Sequence, residues 1–465
     1  MTLYMNLSQP IPNFTPFPAD FIWGVAASSF QIEGAAKQGG RGPSIWDDFC
    51  KQPEAIADGS NGDVACDHYH LWESDLNIIF DLGLNAYRFS VAWSRVQPEG
   101  FGAWNEEGLA FYDRLIDGLI KRGIQPHLTL NHWDLPSGLQ AKGGWKNRET
   151  VDHFVAYAKK IAARFGDRVI SIATHNEPWV QTILGHETGI FAPGIKNRAT
   201  AMQVSHHLLL SHGLALQALR AQGCKSQLGI VLNLAPMHPV SNSAADVAKA
   251  KIEDGRLLRW FMDPMFKACY PQDILEFLGD DAPKVQAGDM QTIATSMDFL
   301  GVNYYSRSLV SSDPDWSLKQ TGCELTDMGW EVYPQGLTEL LVRLNRDYKI
   351  PPISITENGA AFPDQMTHGR VHDRERTLYI ANHIAAMQAA MKQGVVITSY
   401  MVWSLLDNFE WASGYAKRFG IVYVDYETQK RVLKDSALWY RDFVQSQKII
   451  REVSSHLHDK SLLVK

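Results

Sequence analysis

The sequence predicts an α/β fold, a single (β/α)8 barrel with long loops after its strands. Eight short apolar runs recur along the 465 residues, and amphipathic segments of helical length separate them. Strands that alternate with helices form βαβ units, and such units build a parallel sheet. Eight of them are enough to close a barrel. An open, doubly wound sheet is the alternative fold.

The predicted strands are short runs rich in apolar and β-branched residues, bounded by turn residues. In chain order they cover residues 21–27, 85–93, 125–133, 169–177, 227–235, 299–306, 353–357 and 396–406. Residues 105–123 and 147–166 have the design of helices, with acidic residues in the first turn, apolar side chains at helical spacing and a glycine at the end. The loops after the first, fourth, fifth and sixth strands are long, which is typical of loops that build a site.

One domain is expected over residues 1–465, because no linker, low-complexity tract or short repeat interrupts the pattern. The length would also hold two or three average domains, but a barrel with long loops fits it as well. With 45% hydrophobic and 20% charged residues, the composition is that of a soluble globular protein. The net charge of −7 argues against a nucleic-acid partner.

Cysteine usage and the N-terminal sequence indicate the compartment. Five cysteines, an odd number without C-x-x-C spacing, argue against a disulfide framework and a structural zinc site. The first basic residue is Lys37, and no apolar core of a signal peptide precedes it. No apolar run approaches the roughly 18 residues of a membrane helix. We therefore expect a cytoplasmic protein without a membrane partner, and a homo-oligomer is compatible with the sequence.

If the fold is a barrel, its site residues should lie at the carboxyl ends of the strands. Polar and aromatic side chains occur at or just after the ends of seven predicted strands: Gln31, Arg88, His132, Trp133, Asn176, Glu177, Asn303, Tyr305, Glu357 and Trp403. So many on one rim are hard to explain by packing, and we expect them to meet in one site.

Two of these strand ends carry a glutamate beside an asparagine, in "THNEPW" (174–179) and "ISITENGAAF" (353–362). Two carboxyl groups facing each other suit glycoside hydrolysis, in which one protonates the leaving oxygen and the other attacks or directs water. Adjacent residues of a regular strand point to opposite faces. The fourth strand must therefore depart from alternation if Asn176 and Glu177 both reach the site, and Pro178 helps by ending the ladder.

Other chemistries have weaker support. "HYH" (68–70) lies in a helical-looking segment, which favours helix-face histidines over metal ligands. The glycine-rich residues 34–44 lack the G-K-[ST] of a phosphate-binding loop, and neither G-x-S-x-G nor G-x-G-x-x-G occurs. We expect no metal and no cofactor. A non-catalytic glycan-binding barrel, which would not need both glutamates, and a metal-dependent barrel hydrolase, which chelators would inactivate, remain as alternatives.

From about residue 21 to residue 440 the chain resembles family 1 glycoside hydrolases of the β-glucosidase type. The motifs that carry the resemblance follow one another in order: "FIWGVAASSFQIEGA" (21–35), "GRGPSIWD" (40–47), "YRFSVAWSR" (87–95), "NHWDLP" (131–136), "THNEP" (174–178), "FLGVNYYSR" (299–307), "ITENG" (355–359) and "SLLDNFEWASGYAKRFG" (404–420).

The resemblance implies a retaining double displacement, with Glu177 as the acid/base and Glu357 as the nucleophile. It implies that Asn176 holds the sugar 2-OH and that Arg88 and Tyr305 hydrogen-bond Glu357. The other expected substrate contacts fall into groups: Gln31, His132, Glu410 and Trp411 for hydroxyls of the non-reducing sugar, Trp403 for its apolar face, Asn303 as support near Tyr305, Trp330 beside the aglycone, and Trp133 and Phe419 elsewhere in the pocket.

The expected substrates are β-glucosides or cello-oligosaccharides, which would place the protein in cellulose degradation, with β-galactosides and β-fucosides also accepted. A 6-phospho-β-glycosidase is the alternative within the family, but Glu410 would repel a phosphate. Thioglucosidases carry glutamine where Glu177 stands. His175 departs from the apolar residue usual in the family and is expected to face a helix. His186 lies in the loop expected near the entrance, where it would either shape the choice of leaving group or be a surface histidine.

Overall fold

A computed structural model describes residues 10–462 of the protein, and from residue 449 onward only the backbone of the last helix. Its centre is a closed barrel of eight parallel strands, labelled here β1 to β8: Ile22–Ala26, Ala86–Ser90, Gln125–Asn131, Ser171–Asn176, Gln227–Asn233, Phe299–Asn303, Ile353–Asn358 and Ile397–Trp403. β1 pairs with β2 on one side and with β8 on the other. The predicted barrel is confirmed, and the open sheet is excluded.

Each predicted apolar run contains one barrel strand, but most runs extend past the strand end. The run 396–406, for example, continues beyond the last residue of β8, Trp403. The apolar pattern continues because the rim loops are themselves buried, with Leu405, Leu406 and Phe409 each no more than 1% exposed. Apolar character alone therefore cannot mark where ladder pairing ends.

Fifteen α-helices lie within the described residues, and the longer ones surround the barrel. In chain order, α1 to α15, they are Ser29–Ile32, Ile45–Phe49, His68–Asp81, Trp93–Val96, Glu106–Lys121, Ser137–Ala141, Glu149–Phe165, Arg198–Ala221, Ala244–Asp254, Trp260–Lys267, Gln272–Leu278, Asp289–Ile293, Pro334–Asp347, Arg374–Met391 and Asp435–Leu462. Predicted helices 105–123 and 147–166 are confirmed as α5 and α7. Both begin with acidic residues, whose charge favours a helix N-terminus.

Short elements complete the chain. Three two-stranded ribbons pair Met237–Pro239 with Ser308–Val310, Met366–Thr367 with Arg370–Val371, and Val422–Val424 with Arg431–Leu433. Two π-helices cover Val180–Glu187 and Gly255–Arg259. The 3₁₀ turns are Gly144–Lys146, Gly279–Asp281, Leu318–Thr321 and Trp411–Ser413.

The main apolar core lies between the strands and the surrounding helices. It is a continuous cluster in which α5 contributes Leu109, Tyr112, Ile116 and Leu119, spaced so that they share one helix face. Across residues 10–462, no helix is long and apolar enough to cross a bilayer. All five cysteines lie in the described part of the chain and carry free thiols.

Candidate active site

A cavity of about 480 Å³ opens at the carboxyl ends of the strands. Glu177 and Glu357 both contribute to its wall, together with five tryptophans: Trp133, Trp179, Trp330, Trp403 and Trp411. The two predicted glutamates therefore share one cavity, although 180 positions separate them in the chain. Parallel strands bring them together because all eight carboxyl ends meet at the same rim.

Glu357, in β7, is held by two charge-stabilising partners. Arg88 Nη1 donates to Glu357 Oε1 at 2.6 Å, and the Tyr305 hydroxyl donates to Oε2 at 2.6 Å. Both predicted contacts are confirmed. Burial raises the pKa of the Glu357 carboxyl, while Arg88 and Tyr305 oppose that rise by stabilising the charged form. These partners leave Glu357 as the carboxyl of the pair that is easier to ionise.

Glu177 has a different environment. Its carboxylate accepts a hydrogen bond from Asn303 Nδ2 at 2.6 Å, a neutral partner. Burial raises the pKa of Glu177 well above its usual value, and the negative charge of Glu357 raises it further. A single proton shared by the two carboxyl groups therefore resides on Glu177. This asymmetry is the arrangement that an acid and a nucleophile require.

The strand β4 delivers two adjacent side chains to one face by means of a bulge. Ala173 pairs with Gly229 and Asn176 with Val231, so β4 takes three steps where β5 takes two. Glu177 then adopts a left-handed backbone conformation, with φ of 47°. An extra residue and a positive φ both break the alternation of a strand. The departure that the sequence required at Asn176–Glu177 is confirmed.

Asn176 lies at the centre of the polar network. Its Oδ1 accepts from Arg88 Nη2 at 2.7 Å and from Asn303 Nδ2 at 3.1 Å, and its Nδ2 lies 3.1 Å from His132 Nε2. Burial and the nearby charge of Arg88 hold the pKa of His132 well below its usual value, so the ring is neutral. Trp133 Nε1 donates to the Asn176 carbonyl at 2.9 Å, which fixes the end of β4.

Asn303 supports the pocket through three hydrogen bonds. The sequence places it as support near Tyr305, and both residues line the cavity. Its amide donates to Glu177 and Asn176, and its Oδ1 accepts from Thr356 Oγ1 at 2.7 Å. The reason is the pairing of β6 with β7, in which Asn303 stands opposite Glu357 and points into the barrel mouth. Asn303 thus joins the acid/base candidate to the strand of the nucleophile candidate.

Glu410 and Gln31 lie side by side at one end of the cavity. Gln31 is fully buried behind the wall, and its Nε2 donates to Asn408 Oδ1 at 3.0 Å and to the Phe409 carbonyl at 2.9 Å. It also reaches Glu410 Oε2 at 3.4 Å. Glu410 itself lines the cavity. Burial and the charge of Glu357 raise the pKa of Glu410 to about 8.

Aromatic rings form the remainder of this end. His132 stacks on Trp403 and on Trp411, with interplanar angles of 19° and 17°, and Trp133 lies 4.6 Å from Trp411 between ring centroids. Trp133 and Trp411 have φ of 75° and 47°. Because such backbone is uncommon for bulky residues, each conformation must be held by its surroundings. The rings make a flat apolar surface beside polar groups, as a sugar ring requires.

Tyr305, Trp330 and Phe419 form a second aromatic group next to Glu357, which Tyr305 contacts. The ring centroids lie 5.4 Å apart for Tyr305 and Trp330, 6.0 Å for Tyr305 and Phe419, and 6.1 Å for Trp330 and Phe419. Trp330 and Phe419 both line the cavity, so the structure brings these two predicted residues to the site.

The outer wall contains residues that the sequence reading missed. Its apolar members come from the loops after β4, β5 and β6: Trp179, Val180, Leu184, Phe191, Leu234, Met237, Leu257 and Met328. On the polar side, Arg307 pairs with Glu331 at 2.7 Å. Trp179 directly follows "THNEP". An apolar residue in a loop next to a carboxyl at the rim was the sequence feature that could have predicted its place in the cavity wall.

His175 and His186 are both buried. His175 faces the helices, as predicted, since its Nε2 lies 2.8 Å from Ser211 Oγ of α8. The prediction for His186 is wrong: the side chain is 2% exposed, its Nδ1 lies 2.7 Å from the Gln181 carbonyl, and it is not part of the cavity wall. The π-helix Val180–Glu187 turns the ring back onto its own backbone, which sequence spacing does not reveal.

The "HYH" histidines lie in a helix, as predicted. His68 begins α3, where its Nδ1 lies 2.8 Å from Asp75 Oδ2, and His70 contacts Asp67. In the part of the chain that the structure describes, no group of three or more His, Cys, Asp or Glu side chains is arranged to hold a metal ion.

The chain matches the family described as "Glycosyl hydrolase family 1" over residues 14–449. It is 45% identical to "Beta-glucosidase A" of Acetivibrio thermocellus, with 92% of this chain and 98% of the relative covered. A "Bifunctional beta-D-glucosidase/beta-D-fucosidase" of Bifidobacterium breve is 42% identical, with 92% and 98% covered. Among solved structures, "Family 1 b-glucosidase from Thermotoga maritima" superimposes with a TM-score of 0.91 at 45% identity, covering 94% of this chain and 99% of that one.

Proposed function

The chain belongs to glycosyl hydrolase family 1 and is a β-glucosidase, and we propose that it releases terminal β-D-glucosyl residues by a retaining double displacement. Glu357 is the nucleophile and Glu177 the acid/base. The observation that supports these roles is the difference between the two carboxyl environments. Arg88 and Tyr305 favour the charged form of Glu357, whereas burial and the charge of Glu357 keep the proton on Glu177.

In the first step Glu177 gives its proton to the glycosidic oxygen while the Glu357 carboxylate attacks the anomeric carbon. The bond to the leaving group breaks, and a glycosyl ester of Glu357 forms. Esterification removes the charge of Glu357, so the pKa of Glu177 falls and its carboxylate becomes a base. In the second step Glu177 takes a proton from water, the water oxygen attacks the same carbon, and the bond between that carbon and Glu357 breaks. β-Glucose leaves, with Glu357 ionised and Glu177 protonated again.

Asn176 binds the sugar 2-OH in this proposal. Its amide lies between Arg88 and His132, at the end of β4 next to Glu177. A hydrogen bond to the 2-OH strengthens as positive charge develops on the sugar in the transition state. The Arg88 and Asn303 bonds to Asn176 Oδ1 leave the amide with a fixed orientation, which reduces the entropy lost on binding.

The glycone is an unphosphorylated hexose. Glu410, oriented by Gln31, binds O4 and its neighbours, and Trp403 and Trp411 provide the surface for the apolar face. Of the described residues that line the cavity, Arg307 is the only Lys or Arg, and it is paired with Glu331. A 6-phosphate would therefore meet Glu410 without a free cation nearby, which argues against a 6-phospho-β-glycosidase.

The secondary substrates are β-galactosides and β-fucosides, a breadth that the name of the Bifidobacterium relative supports for fucose. The mostly apolar outer wall accepts aryl and alkyl aglycones as well as a second glucose, so short cello-oligosaccharides are substrates too. We further propose a cytoplasmic location, because all five thiols are free and such thiols are typical of reducing compartments.

The experiment that tests the proposal is a screen of the purified protein with p-nitrophenyl β-glycosides of glucose, galactose, fucose and glucose 6-phosphate. We expect the highest kcat/KM for the glucoside, lower values for galactoside and fucoside, and the lowest for the phosphorylated sugar. The α-glucoside is the matched control and should not react. Preference for the 6-phosphate, or binding of β-glucosides without turnover, would overturn the proposal.

A further inference from the structure

Thr174 and His175, the two residues before Asn176 and Glu177, also break the alternation of β4. Thr174 Oγ1 lies 2.8 Å from His212 Nδ1, and His175 Nε2 lies 2.8 Å from Ser211 Oγ, so both adjacent side chains face α8. Asn176 and Glu177 then both face the barrel interior, where Asn303 Nδ2 donates to both side chains and Glu177 lines the cavity. Two side chains that face α8 are thus followed by two that face the barrel interior. This order requires the bulge to stay at one position, because a slip of one residue along the strand would exchange the two faces.

The ring of His175 is hydrogen-bonded at both nitrogens. Asn131 Nδ2 donates to Nδ1 at 3.0 Å, so Nε2 carries the hydrogen and donates to Ser211 Oγ, whose hydroxyl donates to the Leu208 carbonyl at 2.8 Å. Burial keeps the pKa of His175 well below its usual value, so the ring stays neutral, with one donor and one acceptor. Both are used.

The same cluster holds the chain on the other side of Glu177. Asn131 Nδ2 also donates to Gln181 Oε1 at 3.3 Å, in the π-helix that begins at Val180. His175 stacks on Phe154 of α7, with ring centroids 4.5 Å apart and an interplanar angle of 21°. Strands β3 and β4 and helices α7 and α8 thus meet at the His175 imidazole, and Asn131 connects the following π-helix to it.

We propose that His175 is a positioning residue: it fixes the bulge of β4 so that the carboxyl of Glu177 is aimed at the leaving-group oxygen. The inference rests on the proposed role of Glu177 as acid/base. A leucine at position 175 would fill much of the same volume, but the Asn131 amide and the Ser211 hydroxyl would each lose a partner. Each would keep one other bond, to Gln181 and to the Leu208 carbonyl, but an unmade hydrogen bond at a buried site is still costly, so the bulge would shift to restore it.

The test measures kcat/KM of the wild type and of the His175→Leu variant on two β-glucosides. The 2,4-dinitrophenyl leaving group departs without a proton, whereas the methyl glucoside needs the acid in the first step. Because a misplacement of about 1 Å can cost roughly 10²-fold in rate, we expect kcat/KM for the methyl glucoside to fall at least about 10-fold more than that for the dinitrophenyl glucoside. A residue that only stabilises the fold would lower both equally.

His207→Leu is the matched control. His207 lies on the same helix, one turn before Ser211, is 4% exposed, and bonds the Trp145 carbonyl at 2.9 Å and Gln203 at 3.0 Å. Its variant should not change the ratio of the two substrates. Ser211→Ala removes only one hydrogen bond of the His175 ring. It should also lower kcat/KM more for the methyl glucoside than for the dinitrophenyl glucoside, but by a smaller factor. This second variant tests the proposal if His175→Leu does not fold.

Glu177→Ala serves as the reference for full loss of the acid. If it shows strong leaving-group dependence while His175→Leu and Ser211→Ala lower both substrates equally, positioning by His175 is overturned and the proposed function stands. If Glu177→Ala itself shows no such dependence, the proposed function fails and the inference about His175 fails with it. Selective loss in all three variants supports both.

Discussion

Arg88 and Glu357 form an ion pair with 2.6 Å between Nη1 and Oε1, and their side chains are only 3% and 4% exposed. The second terminal nitrogen of Arg88 donates to Asn176 at 2.7 Å. One guanidinium therefore fixes Glu357, the proposed nucleophile in β7, relative to Asn176, the last residue of β4. A planar, forked donor can do this, whereas an ammonium cannot hold two fixed directions.

Replacing Arg88 should move the acidic limb of the pH profile. Arg88 lowers the pKa of Glu357, so Arg88→Met should raise that pKa and shift the acidic limb of kcat/KM towards higher pH. Above that raised pKa the variant should also lose up to about 3–5 kcal/mol of unfolding free energy, because Glu357 then carries a buried charge without its cationic partner. The pH dependence of kcat/KM and urea unfolding measure the two effects. An acidic limb at the wild-type pH would contradict the assignment.

The charge of Glu357 should set the basic limb. It raises the pKa of Glu177, so Glu357→Gln should lower the pKa of Glu177. Titration of the Glu177 carboxyl by NMR in both proteins measures the shift. Glu149→Gln, which changes an exposed carboxyl at the start of α7, is the control and should leave the titration unchanged. Absence of a downward shift in Glu357→Gln would mean that the two carboxyls are not coupled.

The stereochemistry of azide products should separate the two roles. In Glu357→Ala the α face of the sugar is open and Glu177 still protonates the leaving group, so azide should give the α-glycosyl azide from an activated β-glucoside. In Glu177→Ala the glycosyl-enzyme should form from the same substrate, but its hydrolysis lacks a base worth roughly 10²–10⁴-fold. Azide needs no base and should give the β-glycosyl azide. The same anomer from both variants would show that one role is misassigned.

Glu410 should determine how well the sugar is held. The pKa of Glu410 is raised to about 8, so its carboxyl is largely neutral near pH 7. Neutral hydrogen bonds contribute about 0.5–1.5 kcal/mol each, and the loss of two in Glu410→Ser should lower kcat/KM for β-glucosides by roughly 10- to 100-fold. The melting temperature should stay near that of the wild type, since Glu410 is partly exposed in the cavity wall. Unchanged turnover of p-nitrophenyl β-glucoside would remove Glu410 from the sugar site.

Chelation separates the glycosidase from a metal-dependent barrel hydrolase. The proposed chemistry uses two carboxyl groups and water, so prolonged treatment with EDTA should leave kcat on p-nitrophenyl β-glucoside unchanged. Treated protein returned to buffer with and without added zinc or magnesium is the control. Loss of activity that metal restores would favour the metal-dependent alternative.

The sequence by itself determined the existence of the eight strands, favoured a closed barrel over an open sheet, and placed the rim residues near the carboxyl ends of the strands. Apolar runs and helical spacing are local properties, and the connection of parallel strands through helices leaves few topologies open. Because all strands of such a barrel point the same way, Glu177 and Glu357 could be assigned to one rim before any distance was known. The order of the sequence motifs indicated the family, and the resemblance to that family implied the expected roles of the residues.

The tertiary structure alone decided the contacts of the individual side chains. Asn303 donates to Glu177, the ring of His186 turns onto its own helix, and Leu184 joins the outer wall, and no local pattern marks any of these. The bulge in β4 was required by the adjacent pair, but its position between Ala173 and Asn176 depends on the pairing with β5. The proton on Glu177 likewise depends on burial and on a carboxylate 180 residues away in the chain. Such features follow from distances between residues that are remote in sequence, and only the folded chain fixes those distances.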